Sequence, residues 1–319
     1  MDEFLKEQLN IRYFKAHFIA CLPQGGNLPE HKASALRGGM GEMLLKMHCI
    51  GNRKCESCLF TEECIVQHTM YSQMTITPPF MGNRDSVGYV IECDDHRTQY
   101  TEGEEFEFNL LLFGKTIAHF KSFLRAFIML GRSGLGKEKT KFQITSVRDS
   151  LGTEVFDGRN YINNELEIRM ISDYVDSRLK HSAGFQGSEF EIRFLTPVII
   201  KKDREILRDL QIDAVLWSAR RRLYILNCFE GTEIAYDSRE IFEIPEIIGQ
   251  DVFPASIRRF STRSGTSMTF NGLEGSIRIR NIQENLLGLL YAGELIHVGK
   301  STSFGMGEYR VRSMDAVPS

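Results

Sequence analysis

A long hydrophobic run is missing from the sequence: nowhere do about 18 apolar residues follow one another, as a membrane-spanning helix requires. The first residues, from Met1 to Glu7, mix acidic and basic side chains. A secretory signal peptide instead has a basic start followed by an apolar stretch. These two absences predict a cytoplasmic protein that has no membrane partner.

An excess of positive charge is also missing, since 39 lysines and arginines face 42 acidic residues and the formal net charge is -3. Domains that bind nucleic acid usually carry a basic excess. The basic residues are nevertheless clustered, and a basic face on an acidic protein is expected where a polyanion docks on one side. The clusters are Arg132, Lys137, Lys139, Lys141 and Arg148; Arg220, Arg221 and Arg222; and Arg258, Arg259 and Arg263.

A P-loop is missing as well, although Gly299-Lys300-Ser301 matches the end of one. The motif requires another glycine five positions before its last one, and that position is Glu294 here. A P-loop also follows a strand, whereas the apolar run from Leu286 to Ile296 predicts a helix. These differences exclude a P-loop NTPase.

The sequence does contain a glycine-rich loop in two copies, each predicted between a helix and a strand. Glycine lets backbone amides approach an anion, and a neighbouring lysine adds charge. Each loop is therefore a candidate phosphate contact, the alternative being a tight connection that needs glycine only for its turn. The first copy is Gly131 to Lys137, and the second contains Gly299, Lys300, Gly305 and Gly307. Their recurrence about half the chain apart indicates an internal duplication.

The periodicity of apolar residues predicts the order strand, helix, strand, strand, helix, strand in each half. This order is that of the ferredoxin-like fold, so the sequence predicts an α+β protein with tandem ferredoxin-like domains over 1–155 and 156–319 and a linker near 150–164. The predicted elements of the second half include a helix over 204–219, a strand over 222–229 and a hairpin turning at Asn271-Gly272.

A cluster of cysteines follows the first predicted helix with the spacing C-x5-C-x2-C-x5-C. Such thiols can converge on a tetrahedral ion, and the spacing favours a structural zinc in a small knuckle over about 48–68. Free structural thiols and an iron-sulfur cluster are the alternatives, and His48 or His68 could replace one thiolate. A zinc hydrolase is disfavoured, because four thiolates leave no open position for water. The cysteines are Cys49, Cys55, Cys58 and Cys64.

Several segments, spread over nearly the whole chain in the expected order, resemble the CRISPR-associated RAMP superfamily. Within it they are most similar to the endoribonucleases of the sixth Cas family, which process the precursor CRISPR transcript. The segment from Gly293 to Gly307 resembles the family's signature glycine-rich loop. The others are Leu28-Pro29 with 34–38, Leu130 to Gly136, Phe194-Leu195-Thr196-Pro197 and Gly272-Leu273-Glu274-Gly275.

The resemblance implies RAMP-type ferredoxin-like domains that bind CRISPR repeat RNA across a common groove. It also implies cleavage without a metal, in which the 2'-hydroxyl attacks the adjacent phosphate and leaves a 2',3'-cyclic phosphate and a 5'-hydroxyl. The alternative is a RAMP subunit that holds CRISPR RNA in an effector complex without cutting it. Further expected partners are subunits of such a complex or a second copy of the chain.

The resemblance also assigns site residues. The family's catalytic histidine lies in or just before the first helix, where this chain has His31, with Lys32 beside it and Arg37 further along. His17 is the second candidate, on the polar face of the first strand with Tyr13. Histidine suits acid-base chemistry because it titrates near neutral pH. The expected RNA contacts are Lys32, Arg132, Lys137, Arg258, Arg259, Arg263, Gly299, Lys300, Gly305 and Gly307.

Overall fold

The computed structural model describes residues 3–53, 55–81, 86–163, 165–182, 188–202, 205–236, 243–261 and 266–314. The chain divides into two compact units. The N-terminal unit consists of Tyr13–Ile168 with Arg259–Ser267, and the C-terminal unit consists of Met1–Arg12, Arg169–Arg258 and Met268–Ser319.

The helices are α1 (Glu3–Gln8), α2 (Lys32–His48), α3 (Ile65–Met70), α4 (Phe120–Ser133), α5 (Ile171–His181), α6 (Ile212–Glu230) and α7 (Glu284–Ile296). The strands are β1 (Arg12–Cys21), β2 (Gly26–Asn27), β3 (Tyr89–Glu92), β4 (Gln99–Tyr100), β5 (Glu105–Phe113), β6 (Gln143–Arg148), β7 (Glu154–Phe156), β8 (Arg169–Met170), β9 (Glu189–Val198), β10 (Lys201–Lys202), β11 (Glu205–Ile206), β12 (Glu246–Ser261), β13 (Thr266–Arg280) and β14 (Tyr309–Ser313). Short 3-10 helices occupy Cys55–Ser57, Gly114–His119 and Thr302–Phe304.

The N-terminal unit has the ferredoxin-like order β1, α2, β3, β5, α4, β6. Its sheet runs β3-β5-β1-β6-β7, and each of these neighbours is antiparallel to the next. The first and third strands of the motif therefore pair at the centre of the sheet, as this fold requires. The predicted fold class is confirmed for this half of the chain.

Strand β1 organises the core because its side chains alternate between two faces. Phe14, Ala16, Phe18 and Ala20 are fully buried and share one hydrophobic cluster with residues of α2 and α4. The ring of Phe18 stacks on Phe108 of β5 with centroids 4.7 Å apart. The helices thus cover one face of the sheet, and the polar residues of β1 lie on the other face.

The C-terminal unit repeats the arrangement with β9, α6, β12, β13, α7 and β14, in a sheet of order β12-β13-β9-β14. Helix α1 joins this unit, where the Asn227 side chain of α6 donates a hydrogen bond of 2.9 Å to the carbonyl of Gln8. Helix α5 is tied to α7 by Glu294, whose carboxylate accepts hydrogen bonds from Tyr174 at 2.6 Å and Arg178 at 3.1 Å. The second ferredoxin-like domain is therefore also confirmed.

Two elements predicted in the second half are wrong. The residues predicted as a strand over 222–229 form the second half of α6, which packs against α1 and α7. A helix covered on several sides is apolar nearly all round, so its periodicity does not distinguish it from a buried strand. The predicted turn at Asn271-Gly272 is wrong too, because strand β13 runs through both residues. At Gly275, whose φ is +119°, a Cβ atom would lie 2.0 Å from the Asp251 carbonyl. The close approach of the two strands therefore requires glycine at this position.

The division between the units falls after Ile168, whereas the sequence predicts it between residues 155 and 156. The difference has a physical cause, because 155 lies inside β7, which pairs with β6 of the N-terminal sheet. The first twelve residues also belong to the C-terminal unit. Of the described helices, none combines the length and the apolar composition that a membrane span requires.

The core of the N-terminal unit predicts a large stability difference between two leucine truncations. Leu110 is 0% exposed at the centre of β5, and Leu151 is 66% exposed after β6. Leu110→Ala should lower the free energy of unfolding by about 2–5 kcal/mol, because it removes apolar contacts and leaves a cavity. Leu151→Ala should change it by no more than about 0.5 kcal/mol in the same urea titration. Equal effects would contradict this core.

Candidate functional site

His31 stands at the start of α2, at the meeting of two loops that the sequence separates widely. One loop leads from β1 to α2, and the other leads from β3 to β5. Strands β2 and β4 pair the two loops, with Gly26 opposite Tyr100 and Asn27 opposite Gln99. The pairing continues toward His31 through the Leu28 amide, which donates to the Thr98 carbonyl at 2.9 Å. The residues around His31 are therefore fixed by backbone hydrogen bonds.

The buried side chain of Lys32 links the same two loops. Its side chain is 0% exposed, and Nζ donates hydrogen bonds of 2.6 Å to the carbonyls of Asp95 and Arg97. Nζ also lies 3.7 Å from the Asp95 carboxylate and 5.3 Å from the centre of the Tyr100 ring. Burial lowers the pKa of Lys32, and these partners satisfy the ammonium. A side chain so enclosed does not contact RNA, so the predicted RNA contact at Lys32 is corrected to a structural role.

The histidine that the sequence did not single out, His96, lies against His31. The two rings are nearly perpendicular, with an interplanar angle of 74°, and their centroids are 5.5 Å apart. His31 is half-buried and His96 is exposed. Burial lowers the pKa of His31, Glu30 opposes this shift, and His96 and Lys32 add to it. Neutral imidazole, the form that accepts a proton, is thereby favoured at His31.

The other predicted catalytic residues are not gathered around His31. His17 lies on the opposite face of the sheet from α2, where Nδ1 is 3.0 Å from Asn109 Oδ1 and Nε2 is 3.2 Å from Glu107 Oε2. Tyr13 shares that face of β1 and is buried. Arg37, further along α2, donates a hydrogen bond of 3.0 Å to Ser86, which in turn donates to the carbonyl of Met70.

The first glycine-rich loop packs against the loop that carries His31. Arg132 and Lys137 are exposed. At Gly136, whose φ is +77°, a Cβ would meet Pro29 at 3.0 Å, two residues before His31. Thr140 also donates a hydrogen bond of 2.5 Å to the carbonyl of Asn27. The segment from Gly136 to Thr140 therefore packs against the loop that leads to His31, and the contacts of Arg132 and Lys137 with RNA stay predictions.

The second glycine-rich loop uses its amides within the C-terminal unit. Gly299 donates to Ser218 Oγ at 2.6 Å, Lys300 to the Ile199 carbonyl at 2.8 Å, Gly305 to the Thr302 carbonyl at 2.9 Å and Gly307 to the Pro197 carbonyl at 3.1 Å. Amides so engaged are not presented to a phosphate, which corrects the predicted backbone cradle. The Lys300 side chain is exposed, so a phosphate contact through it stays a prediction.

The basic run on β12 is described only in part. Arg258 is exposed on this strand, as its predicted contact with RNA requires. The side chain of Arg259 and the whole of Arg263 lie outside the described residues. The roles of these three arginines in RNA binding stay predictions.

The four cysteines lie between α2 and β3, and all line one cavity. Within the described part of the chain, however, no three of their sulfur atoms lie within 4.8 Å of one another. The donor set thus suits a thiolate-bound ion, while the sulfurs are not gathered around one point. His68, predicted as a replacement ligand, has its Nε2 2.6 Å from the carbonyl of Glu62. The nearby side chains of Ile50, Leu59 and Phe60 are 79%, 93% and 53% exposed, so the segment has little apolar packing of its own.

Two family models match the chain. A model described as an N-terminal domain covers residues 9–167, and the model of the CRISPR-associated endoribonuclease Cas6 covers residues 192–309. An uncharacterised protein of Archaeoglobus fulgidus is 26% identical over 305 residues, which span 90% of this chain and 93% of that protein.

Solved structures share the fold. Cas6 of Thermus thermophilus, free and as a product complex, is 13% and 14% identical, with TM-scores of 0.52 and 0.53; each alignment covers 95% of this chain and 99% of the other. A partial Cas6-RT-Cas1–Cas2 complex contains a chain with 13% identity and a TM-score of 0.61. That alignment covers 97% of this chain but 47% of the other, so the present chain spans about half the length of that relative.

The paired ferredoxin-like domains of this chain have the same fold as the solved Cas6 structures. Residues 192–309 match the Cas6 family model, which supports a CRISPR-associated protein of the RAMP type.

The second glycine-rich loop predicts a strict requirement for glycine at position 307. Its φ is +71°, and a Cβ would lie 1.8 Å from the Val298 carbonyl. Gly152 has a similar φ of +82° with no atom within 4 Å of its Cβ position, so it is a matched control. Gly152→Ala should cost about 1–2 kcal/mol from the backbone conformation alone, and Gly307→Ala at least about 3 kcal/mol in a denaturant titration. Equal losses would contradict the close approach.

Proposed function

We propose that this protein is an endoribonuclease that cuts CRISPR precursor RNA within the repeat, without a catalytic metal. The observation that carries the proposal is the half-buried His31 at the start of α2, whose lowered pKa suits a proton acceptor. Support comes from the match of residues 192–309 to the Cas6 family model. The Cas6 family is one of endoribonucleases, and a solved Cas6 of the same fold is a product complex. Fold likeness alone does not assign an activity, so the chemistry rests on the site.

The proposed reaction is transfer of the phosphate from the 5'-oxygen to the 2'-oxygen. His31 takes the proton of the 2'-hydroxyl while the 2'-oxygen bonds to phosphorus. The bond from phosphorus to the 5'-oxygen breaks, and that oxygen gains a proton to become a 5'-hydroxyl. The exposed cations Arg132 and Lys137 stabilise the negative charge of the phosphorane and hold the strand in line.

The second candidate function is an RNA-binding RAMP subunit without cleavage. The observation that favours it is the engagement of the other predicted catalytic side chains, since His17 and Arg37 are hydrogen-bonded within the N-terminal unit. Both functions use CRISPR repeat RNA as the partner. Subunits of a CRISPR complex are proposed further partners, in line with the Cas6-RT-Cas1–Cas2 relative, and a second copy of this chain is the other.

Cleavage in EDTA separates the two functions. The full chain is incubated with CRISPR repeat RNA in excess EDTA, beside the same RNA with a single 2'-deoxy substitution at the cut site. We expect one defined cut with 2',3'-cyclic phosphate and 5'-hydroxyl ends in the first RNA and an intact second RNA, because the deoxy nucleotide has no attacking oxygen. Repeat RNA that is bound but left whole would favour the non-catalytic subunit. A cut that requires added metal would contradict the metal-independent mechanism.

We also propose a structural zinc at Cys49, Cys55, Cys58 and Cys64. Four thiolates close a zinc site, and a metal would supply the stability that the exposed apolar side chains of this segment do not. Binding would have to draw the four sulfurs together from their present positions. The proposed ion takes no part in the cleavage step.

Metal content tests the zinc site independently of RNA cleavage. The double variant Cys55→Ser, Cys58→Ser should lose the zinc that the unchanged protein retains after dialysis, with a lower thermal unfolding midpoint. Cys21→Ser is the control, since this cysteine lies in β1 and its thiol faces the Gly103 carbonyl. Zinc absent from the unchanged protein, or fully retained by the double variant, would contradict the site.

A further inference from the structure

We propose that His96 is the second acid-base residue of the cleavage reaction, the one that protonates the leaving 5'-oxygen. The inference rests on the proposed function. The reaction needs a proton donor for the 5'-oxygen, and His31 cannot accept one proton and donate another in the same step. It stands on the position of His96 beside His31, with centroids 5.5 Å apart.

Hydrogen bonds from Lys32 to the residues on either side of His96 hold the two histidines together; we call this arrangement the clamp. Lys32 is covalently next to His31, and its buried ammonium donates to the carbonyls of residues 95 and 97, the two neighbours of His96. The Asp95 carboxylate accepts from the amide of Arg97 at 2.9 Å and from its guanidinium at 2.7 Å, which closes the loop. The loop position of His96 is thus tied to the start of α2.

The side chain of His96 remains open to substrate. It is exposed, and within the described residues it contacts the ring of His31 without a hydrogen bond. Rotation of an exposed imidazole about its side-chain torsions breaks no interaction of the clamp. Two imidazoles on one surface can therefore take up positions on both sides of a phosphodiester, each within the 2.6–3.2 Å or so that proton transfer requires.

The surroundings of the two histidines indicate which of them is the base and which is the acid. Burial opposes the charged form of His31, which suits the base, and the acid then falls to His96. The charged and titratable groups that face His31 are Glu30, Lys32 and His96. In the reaction, the 2'-hydroxyl proton passes to His31, the 2'-oxygen bonds to phosphorus, the bond to the 5'-oxygen breaks, and the imidazolium proton of His96 passes to that oxygen. Exchange with water restores both histidines.

The test compares two leaving groups at the cut site. His96→Ala, His31→Ala and the unchanged protein are assayed on repeat RNA and on the same RNA with sulfur in place of the bridging 5'-oxygen. A thiolate leaves without a proton, so loss of the acid should be masked on the sulfur substrate. We expect His96→Ala to be slower by about 100-fold or more on the oxygen substrate and within a few-fold of the unchanged protein on sulfur. His31→Ala should be slow on both.

Controls separate catalysis from folding and from the proposed function. All variants should bind 2'-deoxy repeat RNA as the unchanged protein does, and His181→Ala, an exposed histidine of α5, should cleave normally. A normal rate for His96→Ala, or equal slowing on oxygen and sulfur, overturns the role of His96 alone. No cleavage by the unchanged protein overturns the proposed function and this inference with it.

Discussion

The buried ammonium of Lys32 is the interaction on which the candidate site depends. An ammonium without water is costly unless its protons find acceptors, and here the backbone of the loop from β3 to β5 provides two at 2.6 Å. The carboxylate of Asp95 completes the arrangement; although burial opposes it, hydrogen bonds from Arg97 lower the pKa of Asp95 to about 2. Two loops far apart in sequence are thereby fixed against each other, and the two histidines they carry become neighbours.

The two glycine-rich loops, which look alike in sequence, have different roles in the structure. In the C-terminal unit, the amide of Gly299 donates to Ser218 of α6 and that of Gly307 donates to the Pro197 carbonyl of β9, so this copy stabilises its own domain. In the N-terminal unit, Gly136 packs against Pro29, Thr140 donates to the Asn27 carbonyl, and the side chains of Arg132 and Lys137 are exposed. The duplication is therefore one of fold, while the chemistry that we propose belongs to the first copy.

The pattern of apolar residues along the sequence was sufficient to predict the features that depend on local structure. The alternation of β1 identified the core face, and the order of elements identified the ferredoxin-like domains, because periodic burial is written in the sequence itself. Resemblance to the RAMP family indicated His31. The burial of Lys32 and the position of His96 were beyond such reasoning, since both arise from the pairing of β2 with β4, a contact between distant segments. Lysine is also seldom buried, so exposure was the natural expectation.

The most direct test of this account is a structure of the protein with repeat RNA that carries a 2'-deoxy nucleotide at the cut site. The account predicts that the scissile phosphate lies beside the start of α2, with the sugar next to His31 and the 5'-oxygen next to His96. A phosphate bound instead on the polar face of β1, beside His17, would contradict the central claim that the clamped histidine pair is the active site.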